Sequence, residues 1–281
     1  MAIHFRAAWI ATAAALVLAG YLILVRTWMY LVATLSGAHV PFVAAARIWF
    51  VSNLAAYIPA GPGWQLVQMG VMSREHGVGA LPAGTAGLIN AAVNLACGMA
   101  VAVIAGAPVL ATYLDGYAWI MWPAATAALL ALIALPWILP PIFSFAHRRL
   151  RHSIPMIHPP ARVILVAVAA NLVVWLLYGA SLYCLANGVI DTSAGGVLQY
   201  SAAYSGAYVV AYLIFIIPGG LGLRENALQR LLVAGAVMGW PQGGLVAVMY
   251  RLLTVLTQVL PALLFLAYRR RRPDEKDHIS G

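Results

Sequence analysis

A chain of 281 residues that is 64% hydrophobic and 8% charged, with a mean hydropathy of +0.91, is too apolar to be a soluble domain. The formal charge of +9 comes from 16 basic and 7 acidic residues, and the arginines gather at the edges of apolar runs. That placement argues against a nucleic-acid surface and for orientation signals facing anionic headgroups on an all-α, multi-pass membrane protein.

Arg6 precedes an apolar run over 7–25. It is long for the apolar core of a signal peptide, and Arg26 and Trp28 follow it instead of a cleavage site. As a helix it rises about 28 Å, enough to span a bilayer. Residues 27–38 are expected to continue helically along or out of the membrane. The run 44–58 rises only about 22 Å as a helix before Pro59-Ala60-Gly61-Pro62-Gly63 stops it. A second short helix follows over 64–76, in which Trp64 and Gln65 come first. Two short helices around a Pro/Gly break predict a re-entrant hairpin that enters and leaves on one side.

Pro82 and Gly84 open a span to about 104, on which Asn90 and Asn94 share a face four residues apart. Asp115 marks an outer turn, and 117–139 crosses back. His147-Arg148-Arg149-Leu150-Arg151-His152 reads as a polar loop and topology signal, after which 161–186 crosses again towards Asp191. The run 197–217 is rich in Tyr and Ser, including Tyr200, Ser201, Tyr204, Ser205, Tyr208 and Tyr212. These suit either a polar cavity wall or the close packing of helices through small residues.

Next comes the stretch that the bilayer resists most, Ile217-Pro218-Gly219-Gly220-Leu221-Gly222-Leu223-Arg224-Glu225-Asn226. A proline and three glycines cannot hold a regular helix. Each charge costs roughly 2.5–3.5 kcal/mol at mid-membrane. Such backbone is tolerated at depth only where it is buried in protein or lines a wet cavity. A short helix over 222–238 follows, then Pro241 and Gly243 open a last span over 244–268 with Arg251 inside it. Arg269 to Arg272 close the membrane domain, 1–272, and 273–281 is expected to be a charged, disordered tail. Cys97 and Cys184 read as buried thiols.

The two breaks match each other. Ile58-Pro59-x-Gly61-x-Gly63 aligns with Ile217-Pro218-x-Gly220-x-Gly222, and in both a proline lies 23 residues after the first proline and a glycine 25. The repeat units are about 44–107 and 197–268. Placing the arginine-rich segments 147–152 and 269–272 in the cytoplasm puts Arg26, Arg47 and Arg74 inside and Asp115 and Asp191 outside. The N-terminus is then outside. The first hairpin opens from the cytoplasm and the second from the other face, an inverted repeat with about five full spans, the architecture of many transporters.

Ser52-Asn53-Leu54-x-x-Tyr57-Ile58-Pro59-x-Gly61-x-x-Trp64-Gln65, Pro218-Gly219-Gly220-Leu221-Gly222-x-Arg224-Glu225 and Tyr250-Arg251-Leu252 resemble the lysylphosphatidylglycerol synthase transmembrane, flippase-like family, over roughly 26–268. The resemblance implies a lipid flippase of the bacterial cytoplasmic (inner) membrane. The best-known relatives move aminoacylated phosphatidylglycerol, and others are linked to polyprenyl-phosphate or hopanoid lipids. No aminoacyl-transferase domain is expected with it. Where many members carry a Glu-Arg pair after the first motif, this chain has Asn90 and Asn94.

A flippase needs a polar groove for a headgroup while the tails stay in lipid. Gly220 and Gly222 precede a helix whose free N–H groups and positive dipole end favour an anion, and Arg224 adds a planar cation for phosphate. Gly61 and Gly63 offer a second helix start. Arg251 faces the groove and pairs with Glu225 or lipid phosphate, or else is a structural ion pair or snorkels. Glu225 either contacts substrate or neutralises an arginine. Trp64, Gln65, Asn90 and Asn94 are weaker candidates, residues that more often serve packing or helix–helix hydrogen bonding than ligand contact. The expected ligand is an anionic phospholipid or a polyprenyl-phosphate-linked lipid. No cofactor, metal or nucleotide site is expected, since all seven histidines lie in termini or loops and no nucleophile–His–acid spacing occurs. The alternatives are a non-transporting scaffold or lipid-binding partner of a cell-envelope glycosyltransferase and, least favoured, a lipid-modifying enzyme. The Gly235-x-x-x-Gly239 spacing packs helices within one chain or between two copies of a homodimer.

Overall fold

The structure, a computed structural model, describes residues 4–57, 61–113, 118–149, 159–190, 194–213 and 222–270. Among them the regular structure is helical: α1 (Ala7–Ser36), α2 (Phe42–Asn53), α3 (Gly61–Ser73), α4 (Ala80–Tyr113), α5 (Ala118–Arg149), α6 (Ala161–Val189), α7 (Val197–Leu213), α8 (Leu223–Ala234) and α9 (Trp240–Arg270). Single 3-10 turns, Leu54–Tyr57 and Arg74–His76, extend α2 and α3. Among the described residues, five helices are long and apolar enough to cross a bilayer, within Ala7–Ser36, Ala80–Ala107, Trp122–Pro141, Ala161–Val189 and Trp240–Tyr268.

The long helices overrun the apolar runs that announce them. Hydropathy reports where lipid ends, while the helix continues until a cap or proline stops it. α1 passes through Arg26, whose guanidinium lies 4.5 Å over the Phe42 ring, and ends only where Gly37 takes a left-handed conformation, φ +69°. Pro82 and Pro241 do not precede their helices but sit in the first turn, where a missing N–H costs no hydrogen bond. α5 runs on to Arg149, so the basic segment starts on the helix and not in a loop.

α1 packs along α6, α4 lies against α7, and α2 lies against α9; α5 sits at the edge, touching α4 and α6. Each short pair folds back on itself. After α3 the chain returns to the start of α2, where an Arg47 guanidinium nitrogen lies 2.5 Å from Glu75 Oε2. After α8 it returns to the start of α7, where the Ala194 N–H donates to the Val237 carbonyl at 3.0 Å. The breaks themselves, including Pro59, Pro218, Gly219 and Gly220, lie outside the described residues, as do Asp115, Asp191 and the tail.

Close approach holds the centre. A Cβ on Gly179 would stand 1.8 Å from Ser201 Oγ and 2.5 Å from its Cα, so α6 and α7 meet backbone to backbone. Ser201 and Ser205 donate to the Val197 and Ser201 carbonyls of their own helix. Of the two readings of the α7 serines, packing between helices is the one these contacts fit. We expect Gly179→Ala to destabilise the fold by about 1–3 kcal/mol, read from the unfolding midpoint in mixed micelles. Unchanged stability would mean that α6 and α7 can part freely.

Cys97 and Cys184 are buried free thiols. Cys97 Sγ lies 3.7 Å from the Val168 carbonyl.

Candidate functional site

α8 begins where the second break ends. Gly222 has φ +79°, open to glycine and strained for other residues, and turns the chain into the helix. Arg224 and Glu225 therefore fall in the first turn of α8, three and two residues short of Ala227 on its packed side. Glu225 Oε2 accepts the Gly222 N–H at 2.7 Å. Its carboxylate thus occupies the anion position at the helix start that the sequence reading reserves for phosphate.

Glu225 also reaches α9. Its Oε1 stands 3.3 Å from Arg251 Nε, and the two side chains are 16% and 12% exposed. Burial to that degree makes the pair costly to break from one side. Arg251 in turn lies 5.8 Å from the centre of the Tyr57 ring, within cation–π range. Tyr57 closes the turn after α2 and donates its hydroxyl proton to Gln258 Oε1 at 2.8 Å. The pair on α8 and α9 is therefore joined to the tip of the first short-helix pair.

Arg224 is held differently. It donates to the Tyr204 hydroxyl, and its guanidinium carbon lies 4.8 Å and 4.9 Å from the Tyr204 and Tyr208 ring centres. Tyr204 and Tyr208 are one turn apart on α7, so one helix face supplies both rings. Trp175 of α6 packs against both, at 5.9 and 5.2 Å between centres, and Tyr250 of α9 meets Tyr204 at 4.9 Å. This planar cradle suits arginine and not lysine.

Tyr204, Arg224, Glu225, Tyr250, Arg251 and Thr254 line a small cavity with apolar side chains of α8 and α9. About 10 Å³ of it admits a water-sized sphere, room for one water molecule. The arrangement offers two cations and one carboxylate to an anion, but only after the cavity widens. Among the described residues no group of three or more His, Cys, Asp or Glu could hold a metal ion.

This chain matches the family profile described as Lysylphosphatidylglycerol synthase TM region over residues 2–262. The chain belongs to that family. No curated protein and no solved structure matches it. The profile describes a membrane region and not a catalytic domain, and the match fits the five long helices: this is a multi-pass membrane protein of the lysylphosphatidylglycerol synthase transmembrane-region family.

The other residues singled out in this family member are placed elsewhere. Asn94 donates to Asn171 Oδ1 at 2.7 Å, and Asn171 lies 3.5 Å from Asn90 Oδ1, so both asparagines of α4 face α6. Asn94 still communicates with the site, since its carbonyl accepts the Trp175 indole N–H at 2.9 Å and Trp175 backs the arginine cradle. Gln65 donates to Asn53 Oδ1 at 3.0 Å and fastens α3 to the end of α2. Trp64 is 56% exposed, and Gly63 is open to its surroundings. Gly61 starts α3. Gly220 lies outside the described residues.

Asn171 and Gln258 were not singled out by sequence reasoning, and Tyr57 stood there only as part of the first family motif. Each carried a signal: Asn171 and Gln258 are polar residues inside long apolar runs, and Gln258 sits two turns after Arg251. We expect Asn171→Leu to destabilise the fold by about 0.6–1.7 kcal/mol, the range for hydrogen bonds between membrane helices. Unfolding in mixed micelles measures it. A neutral result would mean that the α4 asparagines find other partners.

Proposed function

We propose that this protein carries the headgroup of an anionic phospholipid or of a polyprenyl-phosphate-linked lipid across the cytoplasmic (inner) membrane. The observation that carries the reading is the partly buried Arg224–Glu225–Arg251 cluster between the start of α8 and α9. Burying three charges among apolar helices is costly, and intramembrane charge marks a substrate or ion path more often than a scaffold. The tails would stay in lipid while phosphate meets the arginines.

The architecture supports the same reading. Exchanging α1 to α4 with α6 to α9 maps the packing onto itself: α4 on α7 becomes α9 on α2, α1 on α4 becomes α6 on α9, and α1 on α6 is unchanged. Among the described helices only α5, which joins the halves, has no counterpart. With the positive-inside orientation, α2 and α3 enter from the cytoplasm and α7 and α8 from outside, as two re-entrant hairpins of an inverted repeat. The starting arrangement has Glu225 capping α8 and pairing with Arg251, so phosphate competes with a carboxylate already in place. Loading then requires α8 and α9 to part, and release lets them close again. Lipid movement by this route needs no cofactor or nucleotide.

The test is transbilayer movement of a fluorescent anionic lipid in vesicles reconstituted with the full chain. Wild type should move it, and Arg224→Ala should move it about 10–100-fold more slowly. Correctly folded wild type that moves no lipid would sink the transport reading and leave a lipid-binding scaffold beside envelope enzymes.

A further inference from the structure

Resting on the headgroup-carrying reading, we infer that Tyr57 is a gate. Bonded to Gln258 and lying against Arg251, it closes the route to the site from the face on which α2 and α3 enter. It is a positioning residue, which acts on the headgroup through Arg251.

The first short-helix pair reaches the site through Tyr57, which ends the turn Leu54–Tyr57 and is half-buried. Its hydroxyl donates to Gln258 Oε1 at 2.8 Å, and the Arg251 guanidinium carbon lies 5.8 Å from its ring centre. Arg251 and Gln258 are seven residues apart, so two turns of α9 bring them to one side of that helix. Thr254 lies between them, is buried and lines the cavity. One side chain therefore bridges the stretch of α9 that borders the cavity.

The pair of helices behind Tyr57 is tied together at both ends. Gln65 donates to Asn53 Oδ1 at 3.0 Å near the tip, and Arg47 meets Glu75 at the base. Against α9 the contact is of another kind. Phe50 stacks on Phe265 with ring centres 6.4 Å apart, an apolar contact that tolerates sliding. The bond from Tyr57 to Gln258 is directional and is either made or broken. That makes it the contact able to define a shut and an open position of the tip.

The two halves carry different parts. In the alignment of the two breaks, Arg224, Glu225 and Arg251 fall opposite Gln65, Leu66 and Ala92, while Tyr57 and Gln258 fall opposite Ile216 and Met99. The charges belong to the second half and the gating tyrosine to the first. Arg251 touches both, with its Nε 3.3 Å from Glu225 Oε1. When the tip lifts, Arg251 loses the ring and keeps the carboxylate, so α8 stays shut on α9 while the first hairpin opens. The site then faces one side at a time.

Cysteine labelling tests this. Thr254→Cys puts a thiol in the cavity, and the chain with only its buried Cys97 and Cys184 supplies the blank. The probe is a membrane-impermeant anionic methanethiosulfonate, applied to right-side-out and to inverted membrane vesicles. His39→Cys, exposed in the link between α1 and α2, marks the face on which the first hairpin enters. Tyr57→Phe keeps the ring and removes the bond to Gln258. Added to Thr254→Cys, it should raise labelling from the His39 face about three- to tenfold, with labelling from the opposite face unchanged or lower. Gln258→Leu breaks the same bond from α9 and should do the same, and the two changes together should exceed neither alone. No rise, a rise from the opposite face alone, or an equal rise from both faces overturns the inference, the last being what a merely loosened fold would give. Sided labelling in a chain that moves no lipid in vesicles keeps the gate and removes the transport reading. Lipid movement with unsided labelling removes the gate and keeps transport.

Discussion

Arg251→Ala should lower the stability of the folded chain by about 3–5 kcal/mol, the range for removing one partner of a buried ion pair. Glu225 would keep its Gly222 N–H but lose the cation beside Oε1, at a side chain only 16% exposed. Arg251 also lies against Tyr57, so its removal loosens the contact between α9 and the turn after α2. The double variant Arg251→Ala with Glu225→Gln should recover most of the loss, because the stranded carboxylate is the main cost. Unfolding midpoints in mixed micelles, taken as a double-mutant cycle, separate the two terms. Additive losses would mean that the pair is not coupled and that the carboxylate finds water when Arg251 is gone.

Arg224→Ala should leave the fold nearly intact and slow lipid movement by about 10–100-fold, the loss of one charge-assisted contact of about 1.5–3 kcal/mol. The contrast with Arg251 follows from their partners. Arg224 leans on neutral tyrosines, so its loss strands no opposite charge, and Tyr204 lines a cavity that admits a water. Arg224→Lys should fall between the two, since an ammonium keeps the charge but not the planar fit against the Tyr204 and Tyr208 rings. Vesicle assays at matched protein content measure both variants. Full activity in Arg224→Ala would remove this arginine from the path.

Much of the helix content is legible in the sequence alone. Apolar runs of about twenty residues can only be helices in a bilayer, because every backbone group must be bonded within its own segment. Helix ends were less legible. Prolines 82 and 241 mark the opening of spans but fall inside the first helical turn, where they are harmless, and nothing apolar marks where α1 or α5 ends once it has left the lipid.

The site divides in the same way. Arg224, Glu225 and Arg251 stood out because charge within apolar sequence is expensive and must have a use or a partner. Asn90 and Asn94 stood out for the same reason, yet they meet Asn171 across the helix interface. Polarity in a span announces that a partner exists without saying whether it is a neighbouring helix or a ligand.

The sequence by itself determined that this chain lives in a membrane, where its charges are and that its two breaks share a pattern, because hydropathy and proline chemistry act locally along the chain. Only the tertiary structure decided which charge meets which. Glu225 and Arg251 lie 26 residues apart and Tyr57 lies nearly 170 from Glu225, and they meet because α8, α9 and the turn after α2 converge. Convergence depends on close helix approaches, such as Gly179 on Ser201, whose effect is felt only when distant segments pack together.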